Sequence, residues 1–235
     1  MTALLAVSHG TSSPCGRTAV RALVDAVAAR LPGTAVRLAH VDVEQPDVEA
    51  GIAALPAGER IVIVPLLLST GYHVDVDLGD AVSRHPHAVL APALGPDPAI
   101  ADVLVRRLAE SPAGHAPCRT APVVLAAAGS SRERANADGR AMAGLLARRL
   151  GSPVRIGFLA KAEPSLEDAI AAVREEHPAG PPAVASYLLA PGHFHDLAGR
   201  HGPVSAPLLS PDAAPPGALV DLVVERFLSH TDRAT

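Results

Sequence analysis

Short, almost wholly apolar runs alternate along the chain with stretches whose apolar residues recur every three or four positions. That alternation predicts strands and helices in turn, and so a parallel-sheet α/β protein. Residues 3–8 form an apolar run closed by the turn His9-Gly10-Thr11-Ser12-Ser13, and Val20, Leu23, Val24, Val27 and Leu31 then mark one helix face. Residues 36–41 predict a second strand, and 46–55 a short helix with Pro46 in its first turn. Residues 61–68 predict a third strand, apolar on both faces as in a sheet covered by two layers. A helix is expected after Gly71-Tyr72-His73, a fourth strand over 89–92 and a helix over 98–108.

Residues 111–122 are rich in Pro, Ala and Gly and read as a linker, after which the order of elements starts again. Strands are expected at 123–128, 154–159 and 183–190, and helices at 141–150, 164–173 and 218–228. Local landmarks recur with it: Gly10-Thr11-Ser12 against Gly129-Ser130-Ser131, Gln45-Pro46 against Glu163-Pro164, Leu67-Leu68 against Leu188-Leu189 and Gly71 against Gly192. The expected architecture is two similar lobes, 1–112 and 120–235, each a parallel four-stranded sheet flanked by helices, with a cleft between them. Ligands of such sheets sit at the carboxyl ends of the strands.

Composition narrows the function. The chain has no Trp, three Phe and two Tyr, so Ala, Val and Leu must fill the core, and stacking platforms for nucleic acid are not expected. A formal charge of -4 offers no basic field for phosphate backbones. No apolar run approaches the ~20 residues that span a bilayer, so no membrane partner is expected. The opening Met-Thr-Ala-Leu-Leu runs into a strand without a charged leader. Cys15 and Cys118 lack the spacing of a disulfide framework or a CxxC site, and a cytoplasmic setting follows.

Three polar residues fall at successive strand ends of the first half: His9, Asp42 and His73. Two imidazoles and a carboxylate converging on one sheet edge suit a borderline divalent ion and leave coordination positions open. The repeat supplies an internal control, because these positions correspond to Ala128, Ala160 and Phe194 while the Gly, Ser and Pro framework persists. Taken singly, each His fits a turn or a hydrogen-bonded core position, and Asp42 fits a helix N-cap. Their coincidence at adjacent strand ends favours one metal site per chain.

The segments Ala6-Val7-Ser8-His9-Gly10-Thr11-Ser12, Val41-Asp42-Val43-Glu44-Gln45-Pro46 and 65–77, which reads Pro-Leu-Leu-Leu-Ser-Thr-Gly-Tyr-His-Val-Asp-Val-Asp, resemble the sirohydrochlorin chelatases. These class II chelatases insert ferrous iron or cobalt into a porphyrin precursor without nucleotide hydrolysis, and the resemblance covers nearly the whole chain. It implies a lyase of ferrochelatase or cobaltochelatase type, in which His9 and His73 bind the metal and help deprotonate the macrocycle. It also implies an acidic ligand at Asp42, where many relatives carry Glu; the shorter side chain leaves open direct or water-mediated contact. The metal is a substrate, Fe2+ or Co2+ with Ni2+ as a third candidate. No iron–sulfur cluster is expected, because the C-terminal cluster motif of some long relatives is missing. The chain would act as a monomer or homodimer.

A neutral imidazole can hold a metal or accept a proton. A flat, multiply carboxylated tetrapyrrole needs cationic and hydrogen-bonding partners, for which Ser12, Arg17, Ser130, Ser131 and Arg132 are the candidates, with Arg134 and Arg140 behind them. Each Arg also fits a solvated helix position. His193 and His195 fit a second proton acceptor, an auxiliary metal contact or solvated residues with neither role, and Cys15 either a cleft residue or a buried thiol. His40 shares a strand face with Asp42 but lies one step deeper. The rival reading is a non-catalytic metal or tetrapyrrole carrier on the same fold, and a two-lobed binder of small anions stands behind it. Turnover separates the enzyme from the carrier.

Overall fold

The strand Thr2–Ser8 (β1) shows why a nearly unbroken apolar run is needed here, because its alternate residues face different layers. Leu4 and Ala6 point into one core with Val20, Leu23 and Val27, while Ala3, Leu5 and Val7 point into another with Val48 and Ile52. The computed structural model describes residues 2–71, 73–111, 122–178 and 180–231, without the side chains of 73–75. The central strand β1 lies between Val36–His40 (β2) and Arg60–Pro65 (β3), and Ala88–Leu90 (β4) completes a parallel sheet in the order β2-β1-β3-β4. A second parallel sheet is built from Val123–Ala127 (β5), Val154–Phe158 (β6) and Ala183–Tyr187 (β7), in the order β6-β5-β7.

Among the described residues the second sheet therefore has three strands where four are expected. The segment in the fourth position makes a single parallel bridge, Val184 to Val204, with Ser205 N donating to Val184 O. Pro203 and Pro207 flank that bridge, and a residue without an N–H cannot extend a ladder.

Pro14–Arg30 (α1) begins at a Ser13 cap whose hydroxyl accepts from Gly16 N, and proline sits in its first turn. Val48–Ala53 (α2) starts later than expected. Asp47, not a residue before Pro46, is its cap, and the Pro46 carbonyl instead accepts from His40 N. Beyond Gly71 the chain forms a π-helical turn, His73–Leu78, that continues into Gly79–Arg84 (α3). Pro98–Ala109 (α4) closes the first half, and the expected linker falls largely on 112–121, outside the described residues.

In the second half Glu133–Leu150 (α5) starts eight residues ahead of expectation, because Ala135, Asn136 and Gly139 already form a buried small-residue stripe. Leu166–Glu176 (α6) opens at a Ser165 cap, as α2 does at Asp47. His193–Gly199 (α7) and Gly217–Leu228 (α8) follow. The helices α1, α4, α5 and α8 lie between the two sheets in one continuous core that takes Leu4 from β1, Leu125 from β5, Leu104 from α4 and Val223 from α8. Within that layer α8 packs on β3 and α1 of the first half, and α4 packs on α5 and β7 of the second. Among the described residues no helix is long and apolar enough to cross a membrane.

Candidate metal and substrate site

The turn after β1 is where sequence, backbone and chemistry meet. Gly10 has φ +90°, and a Cβ there would strike the carbonyl oxygen of Asp42. Only glycine lets the turn close so tightly on the end of β2. The parallel register runs on past the strands: Val41 N donates to Ser8 O at 3.0 Å and Asp42 N to His9 O at 3.1 Å. His9 and Asp42 are therefore neighbours across the central strand and its edge, and both side chains are exposed. Asp42 Oδ1 accepts from Val43 N at 2.8 Å, in a kink where Val43 takes φ +53°. The His9 Nδ1 lies 3.4 Å from Gly10 O.

The second lobe repeats this backbone without the chemistry. Gly129 has φ +81°, a Cβ there would strike Ala160 O, and Lys161 takes φ +58° as Val43 does. Leu159 N donates to Ala127 O at 2.9 Å and Ala160 N to Ala128 O at 3.0 Å. The hydrogen bonds thus pair His9 with Ala128 and Asp42 with Ala160 as equivalents. The His73 backbone opens the π-helical turn beyond β3, on the opposite side of β1 from Asp42, while its side chain lies outside the description. Among the described residues no three His, Cys, Asp or Glu side chains form a group able to hold an ion.

A buried polar cluster underlies the turn. Ser8 and His40 are register partners on β1 and β2, both buried, with Ser8 Oγ 2.8 Å from His40 Nδ1. Glu44 Oε1 accepts from Thr11 N at 2.8 Å and lies 3.9 Å from His40 Nδ1, while Oε2 is 3.3 Å from Arg17 Nε. Burial holds the His40 imidazole below its ordinary value; Glu44 opposes that shift, and Arg21 and Arg17 reinforce it. Glu44 thus clamps the His9 turn to β2. Its role is invisible in sequence, where it is one acid among several, and only the kink at Val43 turns it inward.

The candidate substrate residues divide into groups. Ser12 is exposed on the His9 turn, and Arg17 folds back so that its Nε donates to Thr11 O at 2.9 Å. On the second-lobe turn the amide of buried Asn136 accepts from Ser130 N and donates to Ser130 O, both at 2.9 Å. Arg132 N donates to Ser130 Oγ at 3.1 Å, and the Ser131 and Arg132 side chains are exposed. Arg140 is engaged elsewhere, with Glu133 at 2.6 Å and over the Phe158 ring. Cys15 is exposed, which sets aside the buried-thiol reading.

The strand-end loops of the two lobes touch. A Cβ on Gly71 would lie 4.0 Å from Ser130 Oγ, and one on Gly192 3.0 Å from Thr11 Oγ1. His193 is exposed against the Phe194 ring at the start of α7. His195 is partly buried with Nδ1 3.3 Å from Ser186 Oγ, and burial lowers its pKa against the pull of Asp196.

Comparison with known proteins follows the same outline. The CbiX family profile matches residues 3–111 and 122–197. The sirohydrochlorin cobaltochelatase of Methanosarcina acetivorans is 27% identical over a match covering 46% of this chain and 95% of that protein. SirB from Bacillus subtilis, solved with Fe3+, matches at a TM-score of 0.77 and 21% identity, over 97% of this chain and 94% of its own. CbiX, described as the terminal enzyme for biosynthesis of siroheme in denitrifying bacteria, matches at 0.69 and 21%, over 98% of this chain and all 100% of its own. With both lobes matched and well over half its length covered, the chain belongs to the CbiX family.

Proposed function

We propose that the protein is a sirohydrochlorin chelatase, which inserts Fe2+ or Co2+ into sirohydrochlorin or a related tetrapyrrole without ATP. The observation that carries this reading is the lobe asymmetry. One backbone turn is built twice, and only the first copy carries His9 beside Asp42. A site that served folding alone would have no reason to differ so sharply between two copies of one scaffold. The names of the matched relatives, a cobaltochelatase and an iron-bound SirB, support the same chemistry.

In this reading His9 and His73 hold the ion from either side of the central strand's end, and Asp42 completes the set with Oδ2, its Oδ1 being taken by Val43 N. Metalation removes two pyrrole protons while four ring nitrogens replace the ion's earlier ligands. A neutral imidazole that releases the ion is left with a lone pair for one of those protons. Ser12 on one turn with Arg17 of α1 folded against it, and Ser130, Ser131 and Arg132 on the other turn, line a cleft between lobes and meet the substrate carboxylates. Residues 1–112 form the metal-bearing lobe and 120–235 the degenerate repeat, and a cytoplasmic monomer or homodimer is the working form.

The test is anaerobic metalation of sirohydrochlorin with Fe2+ or Co2+, followed by absorbance. The parent should turn over many times, and His9→Ala and His73→Ala should each lose at least about 100-fold in rate, the size of effect expected for removing a positioned acid–base group. Binding of metal and macrocycle without turnover would instead mark the protein as a carrier.

A further inference from the structure

The lobe asymmetry also runs the other way. Pro65 pairs with Val7 in the first sheet as Ser186 pairs with Ala126 in the second, so Leu66 and Tyr187 are equivalent. Counted from the turn glycines Gly10 and Gly129, Ala19 of α1 and Asp138 of α5 are equivalent too. Both first-lobe residues are buried and apolar. Their polar second-lobe counterparts reach across to a single stretch of the first lobe. Tyr187 Oη donates to Leu68 O at 2.6 Å, and Thr70 N donates to Asp138 Oδ2 at 2.7 Å.

That stretch, 68–70, joins β3 to the π-helical turn that begins at His73. Within its own lobe it is anchored at its start, where Leu94 N donates to Leu67 O at 2.8 Å. Everything about the Tyr187 bond is built for it. The ring is buried, and burial, then Asp138 and Asp97, push the phenol well above its ordinary range, so the proton stays on oxygen to be donated. Gly95 is buried beside it, and a Cβ there would collide with Tyr187 Oη and come within 2.5 Å of Leu68 O.

We propose that Asp138 and Tyr187 are positioning residues for the metal site: the lobe without ligands holds the 68–70 segment in place and so sets where His73 stands relative to His9. The proposal rests on the reading of His9 and His73 as metal ligands. It assigns the second lobe a task beyond enclosing the substrate. Outer-shell partners that fix a ligand's placement commonly govern metal affinity.

The test is anaerobic titration of the full chain with Co2+, read by its visible absorption, for Tyr187→Phe, Asp138→Ala, Asp138→Asn and His73→Ala beside the parent. Thermal unfolding is recorded for each. Tyr187→Phe and Asp138→Ala should weaken Co2+ binding by about three- to tenfold and shift its absorption band, as loss of one ordering hydrogen bond implies. Asp138→Asn keeps an acceptor for Thr70 N and should bind as the parent does. Unchanged affinity and band in Tyr187→Phe and Asp138→Ala, or a lower melting temperature with neither readout altered, would overturn the proposal. A loss in Asp138→Asn as deep as in Asp138→Ala would also overturn it, by assigning the effect to charge. Co2+ binding untouched by His73→Ala would instead remove the site reading, and the proposal with it.

Discussion

In the sequence His9 and Asp42 stand out as candidate ligands because the repeat gives each a silent twin. Without Ala128 and Ala160 for comparison, either could pass as turn chemistry. His40 has a twin as well, Phe158, since both make the same bridge to the residue before the next helix. Its buried place against Ser8 gives it a measurable signature. In the folded protein its pKa is lowered, so at mildly acid pH the unfolded chain binds the proton more readily. Stability should therefore fall as pH drops through about 6.5, the ordinary imidazole value, and go on falling until the folded group titrates. His195 shifts the same way and adds to the slope. Melting temperature measured between pH 7.5 and 5.5 should show a shallower acid slope in His40→Gln than in the parent. An identical slope would mean that the shift at His40 contributes nothing to folding.

Turns and strands were readable from the sequence to different depths. Buried parallel strands announce themselves as apolar runs, which is why β5 lies within its expected segment and β1 and β3 start only one residue ahead of theirs. The second sheet carries three strands among the described residues, not the expected four, because Pro203 and Pro207 lack the N–H groups that would extend the single Val184–Val204 bridge into a ladder. The π-helical turn at His73 has no periodic signature at all. The glycine turns can be tested directly, since Gly10→Ala and Gly129→Ala each force a side chain into the left-handed region and against a carbonyl. Each should cost about 2 kcal/mol or more in denaturant unfolding. Gly10→Ala should also lower metalation per folded molecule, by moving His9 relative to Asp42, whereas Gly129→Ala should spare it at saturating tetrapyrrole. Equal damage to activity from both would argue against a site confined to the first lobe.

At the scale of the molecule, the two sheets enclose one helical layer, and each half lends a helix to the other. Arg226 of α8 pairs with Asp97, the cap of α4, at 2.9 Å, and buried Arg107 of α4 donates to Leu208 O at 2.9 Å. No sequence pattern predicts such exchanges, because an amphipathic helix shows that it has a buried face but not which sheet receives it. The outcome is two near-copies fixed against each other, one bearing the candidate ligands His9 and Asp42 and the other bearing Asp138 and Tyr187, which bond to the 68–70 segment of the first. On the proposed function this assembly binds one ion for insertion, through the first copy alone. Equilibrium titration with Co2+ under anaerobic conditions tests it most directly. The parent should bind one Co2+ per chain, and His9→Ala, with its melting profile preserved, should lose that binding. Two ions per chain, or full-strength binding after His9 is removed, would contradict it.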